Sequence, residues 1–260
     1  MRAVALGRDA IVVTSSLWQT NALALRSGEE AVLVDSPYFP DELDMLPALL
    51  EQSGFTPSGL LATHADYDHL LGRLAFPGMA LGVGELTAER LRRDPGGAQR
   101  ALRDSDARYY VERPTPLALG QVQELPVPGK IELGSEELEA HPAEGHTSDG
   151  VAYFARFAGV LAVGDYISDV EIPMLSPGGG LDDYRATLAR LAPLVEAAEA
   201  IVPGHGAVHD RDSALRILDE DVTYLAALAR GDAQLPKGRD SAEQKRIHAE
   251  NLSAVRPATD

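Results

Sequence analysis

The chain has 260 residues, of which 45% are hydrophobic, so it can bury the core of one large domain. It contains no cysteine, which excludes disulfide bonds and thiolate ligands and leaves His, Asp, Glu and water to hold any metal. Its 40 acidic and 23 basic residues give a formal net charge of −17, which disfavours nucleic acid and anionic membranes as partners.

The amino-terminal segment, residues 1–9, lacks the apolar stretch and cleavage site of a signal peptide. No apolar run along the chain reaches transmembrane length. We therefore expect a cytoplasmic protein that acts on a small molecule, with no membrane partner and an oligomeric state left open.

Short apolar or alternating runs near the start of the chain predict strands. These runs are residues 10–16, 21–26 and 31–35. Residues 41–53 then carry leucines at helical spacing behind an acidic start, which predicts a helix that ends before Gly54. A further strand is expected over residues 59–63. A strand, a helix and a strand in this order are typical of α/β enzymes.

Residues 64–69, directly after that strand, hold two histidines and two aspartates. These are His64, Asp66, Asp68 and His69. Imidazole and carboxylate are ligands of zinc, iron and manganese, and a short run at a strand end can aim several of them at one point. Three further candidates stand beside glycine at expected strand ends: His146, Asp165 and His205. Together these residues predict a metal site, although each alone could be an ordinary hydrogen-bonded loop residue.

The segment of about residues 85–113 is rich in arginine and lacks a strand pattern. A break at residues 94–97 divides it, so we expect an inserted pair of helices. The arginines could form a lid or a substrate-recognition element, or simply a solvated helix face. Tyr109 and Tyr110 could face the site from the end of this insertion.

Strand and helix patterns return in the second half of the chain. Strands are expected within residues 121–141 and 151–163 and over 201–203, and helices over 181–200, 213–230 and 241–255. We expect one domain over residues 1–210, with the insertion at about 85–113. Residues 211–260 are expected to form a C-terminal helical extension packed on the same domain.

The motifs resemble those of the metallo-β-lactamase-fold superfamily. Its signature of His-x-His-x-Asp-His, Gly-His-Thr, Gly-Asp and Pro-Gly-His is matched in the same order by residues 64–69, 145–147, 164–165 and 203–205. The resemblance, placed in the glyoxalase II-like branch, implies an α/β fold. It further implies a four-layer αβ/βα sandwich with metal ions in the cleft between its two sheets.

The resemblance also implies which residues hold the metals. One metal would be held by His64, Asp66 and His146, the second by Asp68, His69 and His205, and Asp165 would bridge both. Asp66 is the one departure, since the family has histidine there, and a third carboxylate favours iron or manganese relative to zinc. We expect two divalent metal ions, with zinc as the first candidate and iron or manganese as alternatives.

Two metals that share a water lower its pKa towards about 7, so hydroxide forms at neutral pH. The expected function is therefore metal-dependent hydrolysis of an ester, thioester, lactone or related bond. Asp68 is the expected catalytic residue. Tyr166 and Tyr184 are candidate substrate contacts, with core packing as the alternative. Asp35 could support the metal histidines or simply end its strand in a turn.

Two other functions stay open at this point. Persulfide dioxygenases with the same fold bind a single iron through the positions of His64, His146 and Asp165, all of which match here. A degenerate site could also serve a non-catalytic metal-binding sensor.

Overall fold

The computed structural model describes residues 1–255, which form two β-sheets packed face to face. The first sheet has seven strands that neighbour each other in chain order: β1 (Arg2–Ala5), β2 (Ala10–Thr14), β3 (Asn21–Ser27), β4 (Glu30–Asp35), β5 (Pro57–Leu61), β6 (Leu81–Gly84) and β7 (Gln123–Leu125). The pairs from β1 to β4 are antiparallel, and those from β4 to β7 are parallel.

The second sheet has six strands in the spatial order β13, β12, β11, β10, β9 and β8. Their bounds are β8 (Gly129–Leu133), β9 (Glu136–Pro142), β10 (Val151–Ala155), β11 (Val160–Gly164), β12 (Ala200–Pro203) and β13 (His209–Asp210). Only the β11 and β12 pair is parallel in this sheet, so these two strands end at the same edge.

Seven α-helices lie outside the sheets in the described part of the chain: α1 (Pro40–Gln52), α2 (Gly72–Ala75), α3 (Glu85–Arg93), α4 (Gly97–Tyr109), α5 (Leu181–Ala197), α6 (Arg211–Arg230) and α7 (Ala242–Ala254). The strands expected at the start of the chain and the helix after them are confirmed, with boundaries shifted by a few residues. The sequence did not predict β1, whose residues are all exposed, or β6, which has two glycines among its four residues. Among residues 1–255, the helices are all too short or too polar to cross a bilayer.

Three apolar cores separate four layers. Val12 faces the second sheet and packs in one core with Tyr153, while its neighbour Val13 faces outward and packs with Leu46 of α1. The outer face of the second sheet packs against α5 through Leu188. Strands such as β2 are buried on both faces, which is why they are apolar throughout. The predicted four-layer αβ/βα sandwich is confirmed.

Helices α6 and α7 bury side chains in the same core as α5, as Ile217 and Ile247 illustrate. The proposed division of the chain at residue 210 stays a prediction, and residues 256–260 of the proposed extension lie outside the described residues. Helices α3 and α4 occupy the arginine-rich segment, on the outer side of the first sheet.

Candidate metal centre

The candidate ligands lie where strands of both sheets end at one edge. His64 follows β5, Asp165 follows β11 and His205 follows β12. The two sheets are joined at this edge by a 2.8 Å hydrogen bond that the backbone N–H of Val151 donates to the carbonyl of Thr63. Loops that follow the strands therefore converge in the cleft, where a binding site can be built on a rigid frame.

His64, Asp66 and His146 form a first group of donors, with His146 supplied by the loop between β9 and β10. Oδ2 of Asp66 lies 3.6 Å from Nε2 of His64 and 3.6 Å from Nε2 of His146. Oδ2 of Asp165 lies 3.6 Å from Nε2 of His64 and 3.2 Å from Nε2 of His146. These atoms surround a space of the size that a single ion needs.

Asp68, His69 and His205 form a second group beside the first. Oδ2 of Asp68 lies 3.3 Å from Nε2 of His205 and 3.9 Å from Nε2 of His69. Oδ1 of Asp165 lies 3.1 Å from Nε2 of His69 and 3.6 Å from Nε2 of His205. Asp165 thus offers one oxygen to each group, and the structure brings together every ligand that the motifs predicted.

The donor atoms fit a divalent cation because several of them are buried without any other partner. Among residues 1–255, Nε2 of His64, His69 and His146 and Oδ1 of Asp165 are buried and accept or donate no hydrogen bond. Buried polar atoms are almost always hydrogen-bonded, so four orphaned atoms converging on one place indicate a missing ligand. Imidazole nitrogens with carboxylate oxygens suit zinc, iron or manganese.

Asp35 holds His69 from behind. Its Oδ2 contacts Nδ1 of His69 at 2.9 Å, and its carboxylate accepts hydrogen bonds from the N–H and the hydroxyl of Thr63. Asp35 has a left-handed backbone, with φ of 57°, which turns its side chain back into the cleft. Of the two interpretations of Asp35, the structure supports positioning of the histidine, whose Nε2 is left facing the site.

Other metal-site histidines are fixed through the same ring nitrogen. Nδ1 of His146 lies 3.1 Å from the carbonyl oxygen of Met174, and Nδ1 of His64 lies 3.1 Å from Oγ1 of Thr63. Each contact orients the ring so that its Nε2 points at the carboxylates.

Gly204 is required by the packing between the ligands. A Cβ at this position would lie 2.2 Å from Oδ1 of Asp165 and 2.8 Å from Cε1 of His69. Since real Cβ atoms do not approach other atoms so closely, any side chain here would displace the shared carboxylate. This explains the glycine of the Pro-Gly-His motif.

The carboxylates make the site strongly attractive to cations. Burial opposes protonation of His146, but the negative charges of Asp165 and Asp66 outweigh it and raise the pKa of His146 to about 9. Burial likewise opposes protonation of His205, and the charges of Glu171 and Asp165 raise its pKa to about 10. A divalent cation is stabilised by the same negative potential.

Two charged residues that lie beside the predicted ligands are not evident from the sequence. Arg90 of α3 donates to Oδ1 of Asp66 at 2.5 Å and also pairs with Asp149. The carboxylate of Glu171 lies within 4.8 Å of ligand atoms of Asp165 and His205. Arg90 stood among the arginines of the insertion with nothing to distinguish it, and Glu171 lies in a loop without a recognisable motif.

A cavity of about 440 Å³ opens above the ligands. Its apolar wall is formed by Trp18, Tyr67, Tyr109, Met174 and Ile247. Arg108 and Arg246 also line the cavity, and both donate to Glu243, at 2.8 and 2.6 Å. The insertion and the C-terminal helix therefore meet at Glu243 and both line this cavity, which reaches Asp68 and Asp165.

Tyr166 and Tyr184 do not line this cavity. They are 2% and 1% exposed and lie in the core between the second sheet and α5. The hydroxyl of Tyr166 accepts from the N–H of His146 and donates to the carbonyl of Ala143, and that of Tyr184 donates to the carbonyl of Asp165. The prediction that they contact substrate is wrong, because both rings face the core and support the ligand-bearing backbone instead. Of the two tyrosines at the end of α4, Tyr109 lines the cavity and Tyr110 is 94% exposed.

Comparison with known proteins agrees with this geometry. The model of the family described as the metallo-beta-lactamase superfamily matches residues 16–205. An uncharacterized protein of Mycobacterium leprae, ML0493, is 29% identical over 194 residues, which cover 71% of this chain and 84% of that protein.

Two further similarities are to a protein with a named activity and to a solved structure that holds iron. The acyl-coenzyme A thioesterase MBLAC2 of Gallus gallus is 27% identical over 206 residues, which cover 72% of this chain and 72% of that protein. The solved structure of TTHA1623 in a di-iron-bound form is 24% identical, with a TM-score of 0.61, and the match covers 79% of this chain and 97% of that one. The latter similarity establishes the shared fold.

Proposed function

The chain belongs to the metallo-β-lactamase superfamily, and from that premise we propose that it is a metal-dependent hydrolase of small molecules that carry an ester, thioester or lactone bond. Proteins of this fold related to it, an acyl-coenzyme A thioesterase among them, are hydrolases. Its place in the glyoxalase II-like branch stays a prediction.

One observation carries the proposal: Asp165 offers one oxygen to each of two complete groups of donors, with contacts of 3.2 Å to His146 and 3.1 Å to His69. We propose two divalent ions, with zinc as the first candidate and iron or manganese as alternatives. The carboxylates of the site and the di-iron form of TTHA1623 support the alternatives. When bound, such a pair of ions supplies hydroxide at neutral pH and polarises a carbonyl group.

The chain's own residues hold the reactants in the cavity. Asp68 lines the cavity and is our candidate for the catalytic residue, because its carboxylate can orient the attacking water and accept its proton. Trp18 and Tyr109 provide an apolar surface for an acyl group and keep water away from it. Arg108, near the opening, can bind a negative charge on the leaving group.

An acyl thioester with an anionic leaving group fits this combination of an apolar wall and arginine side chains. The similarity to a thioesterase supports the same choice. Ester and lactone substrates would react in the same way as a thioester at the carbonyl carbon. They differ from it in the leaving group that the arginines would contact.

The test is a substrate panel on purified protein loaded with zinc, iron or manganese, comparing acyl thioesters with lactones and phosphoesters. We expect thioester hydrolysis in the wild type and a loss of about 1000-fold or more in Asp165→Asn, by the size of effect typical for catalytic electrostatics. Asp182→Asn, at a position on α5 whose side chain is 94% exposed, should lose nothing. Absence of hydrolysis in every metal form, or full activity in Asp165→Asn, would overturn the proposal.

The iron dioxygenase alternative has one observation in its favour. His64, His146 and Asp165 converge with contacts of 3.2 to 3.6 Å, as two histidines and a carboxylate do at non-haem iron. A dioxygenase with a single iron would leave the second group of donors, Asp68, His69 and His205, without a role. Oxygen consumption with a persulfide, together with a single equivalent of iron, would favour the dioxygenase over the hydrolase.

A further inference from the structure

Asp66 adds a negative charge at a position where the family pattern has a neutral histidine, and Arg90 contacts this carboxylate. Nη2 of Arg90 lies 2.5 Å from Oδ1 of Asp66. The other oxygen, Oδ2, lies 3.6 Å from Nε2 of His64 and of His146. One oxygen of the carboxylate therefore faces the arginine, and the other faces the first group of donors.

Arg90 is itself held in place from the opposite side. Its Nη1 lies 2.8 Å from Oδ1 of Asp149, whose side chain is fully buried. Oδ2 of Asp149 accepts a 2.9 Å hydrogen bond from the N–H of Ala65, the residue next to Asp66, and the carbonyl of Asp149 accepts from Oγ1 of Thr87. The guanidinium is thus fixed relative to both the ligand segment and α3.

The geometry of this contact has two physical consequences. A guanidinium that occupies Oδ1 leaves only Oδ2 for a cation, so it selects one oxygen and one rotamer of Asp66. Its positive charge also offsets the charge that Asp66 brings to the site. A lysine could supply the charge, but it lacks the planar fork that spans Asp66 and Asp149.

We propose that Arg90 is a positioning residue that makes Asp66 a usable metal ligand, so that the pair of Asp66 and Arg90 takes the place of one neutral histidine. Through Arg90, the insertion formed by α3 and α4 becomes part of the metal site. The inference rests on the proposed metal site and does not depend on which substrate is cleaved.

A double-mutant cycle on metal binding tests the pairing. Zinc affinity is measured by competition with a chelator for the wild type, Arg90→Gln, Asp66→His and the double variant. We expect Arg90→Gln to weaken binding of the first ion by about 10- to 100-fold, the range typical for residues that orient metal ligands. In the Asp66→His background the same change should cost less than about 3-fold, because the carboxylate that Arg90 orients is gone.

Two further variants separate positioning from a general effect on folding. Arg90→Lys should show an intermediate loss, since charge is kept and the fork is removed. Arg93→Gln, on the same helix but paired with the exposed Glu89, should bind zinc as the wild type does. Cobalt absorption spectra of each variant report the ligand geometry without any activity measurement, and circular dichroism reports folding.

Equal zinc affinity of the wild type and Arg90→Gln would overturn the inference. An equal loss from Arg90→Gln in the wild-type background and in the Asp66→His background would do the same, since Arg90 would then act independently of Asp66. If the four zinc affinities show the predicted coupling between Arg90 and Asp66 but the wild type cleaves no substrate, the inference stands and the proposed function is refuted. A wild type that binds no divalent metal would overturn both.

Discussion

Asp35 contacts His69 at 2.9 Å across the end of the first sheet, between an aspartate oxygen and the ring nitrogen that faces away from the metal site. Because this contact fixes the ring, we expect Asp35→Asn to weaken metal binding in the second group by about 10- to 100-fold. The first group, which has no contact with Asp35, should lose less. Cobalt titration resolves the two ions, and a uniform loss in both would show that the variant acts through general unfolding.

The sequence could predict the metal ligands because they lie in short motifs whose spacing is set by local structure. Residues 64–69 place four donors directly after a strand, and the other three ligands stand beside glycines at strand ends. Parallel strands that end at one edge then bring these loops together. The local pattern therefore contained most of the information about the ligand set.

The remaining site residues depend on packing between distant segments. Arg90 is one arginine among several in its segment. It becomes the partner of Asp66 because α3 packs beside the loop that follows β5. Tyr166 directly follows a ligand, yet its ring turns into the core because the backbone reverses after Gly164, where φ is 58°. The direction in which a side chain points at such a turn cannot be deduced from the residue type.

Gly204→Ala should remove metal binding while the fold is retained. The added Cβ would lie 2.2 Å from Oδ1 of Asp165, so the shared carboxylate would have to move. Gly59→Ala, in the strand that leads to the site, is the matched control because its Cβ would lie in ordinary contact, 3.9 Å from Val32. Elemental analysis of both proteins checks the prediction, and two metal equivalents in Gly204→Ala would contradict it.

Tyr166→Phe tests whether that tyrosine supports the backbone that carries His146. Its hydroxyl accepts from the N–H of His146 and donates to the carbonyl of Ala143, so its loss leaves two buried groups unpaired. We expect lower metal affinity and lower kcat with an unchanged KM, since the ring does not reach the cavity. Tyr110→Phe, at an exposed position, serves as the control. An increase in KM alone would instead support direct substrate contact.

Glu42 should make stability depend on pH. Burial opposes its ionisation, but hydrogen bonds from Ser15, from the N–H groups of Ser16 and Phe39 and from the amino terminus lower its pKa below the ordinary value of 4.5. A folded pKa below the unfolded one gives stability that is present above about pH 4.5 and is lost as the pH falls through the folded pKa. These bonds anchor the segment that leads to Trp18.

We therefore expect Glu42→Gln to lower the free energy of unfolding at pH 7 by about 1–3 kcal/mol, the cost of weakened hydrogen bonds to a buried charge. The difference from the wild type, measured in urea titrations, should shrink as the pH falls below about 4.5 and through the folded pKa of Glu42. Glu29→Gln, an exposed acid in a turn, should behave as the wild type throughout. A difference for Glu42→Gln that stays constant with pH would show that ionisation of Glu42 does not stabilise the fold.

Arg108→Gln tests whether the cavity binds an anionic leaving group. Arg108 lines the cavity and donates to Glu243 at 2.8 Å, so a substrate anion can share or take over this contact. Hydrogen bonds to charged groups contribute about 1.5–3 kcal/mol, and less when the side chain is exposed. We therefore expect the KM for an anionic acyl thioester to rise by roughly 3- to 10-fold, with little change in kcat. Neutral thioesters should be unaffected, and the effect should fall with ionic strength because exposed charges are screened. Arg103→Gln, on the same helix but outside this cavity, is the matched control. If KM rises equally for neutral and anionic substrates, Arg108 shapes the cavity through packing, and the leaving group is not recognised by its charge.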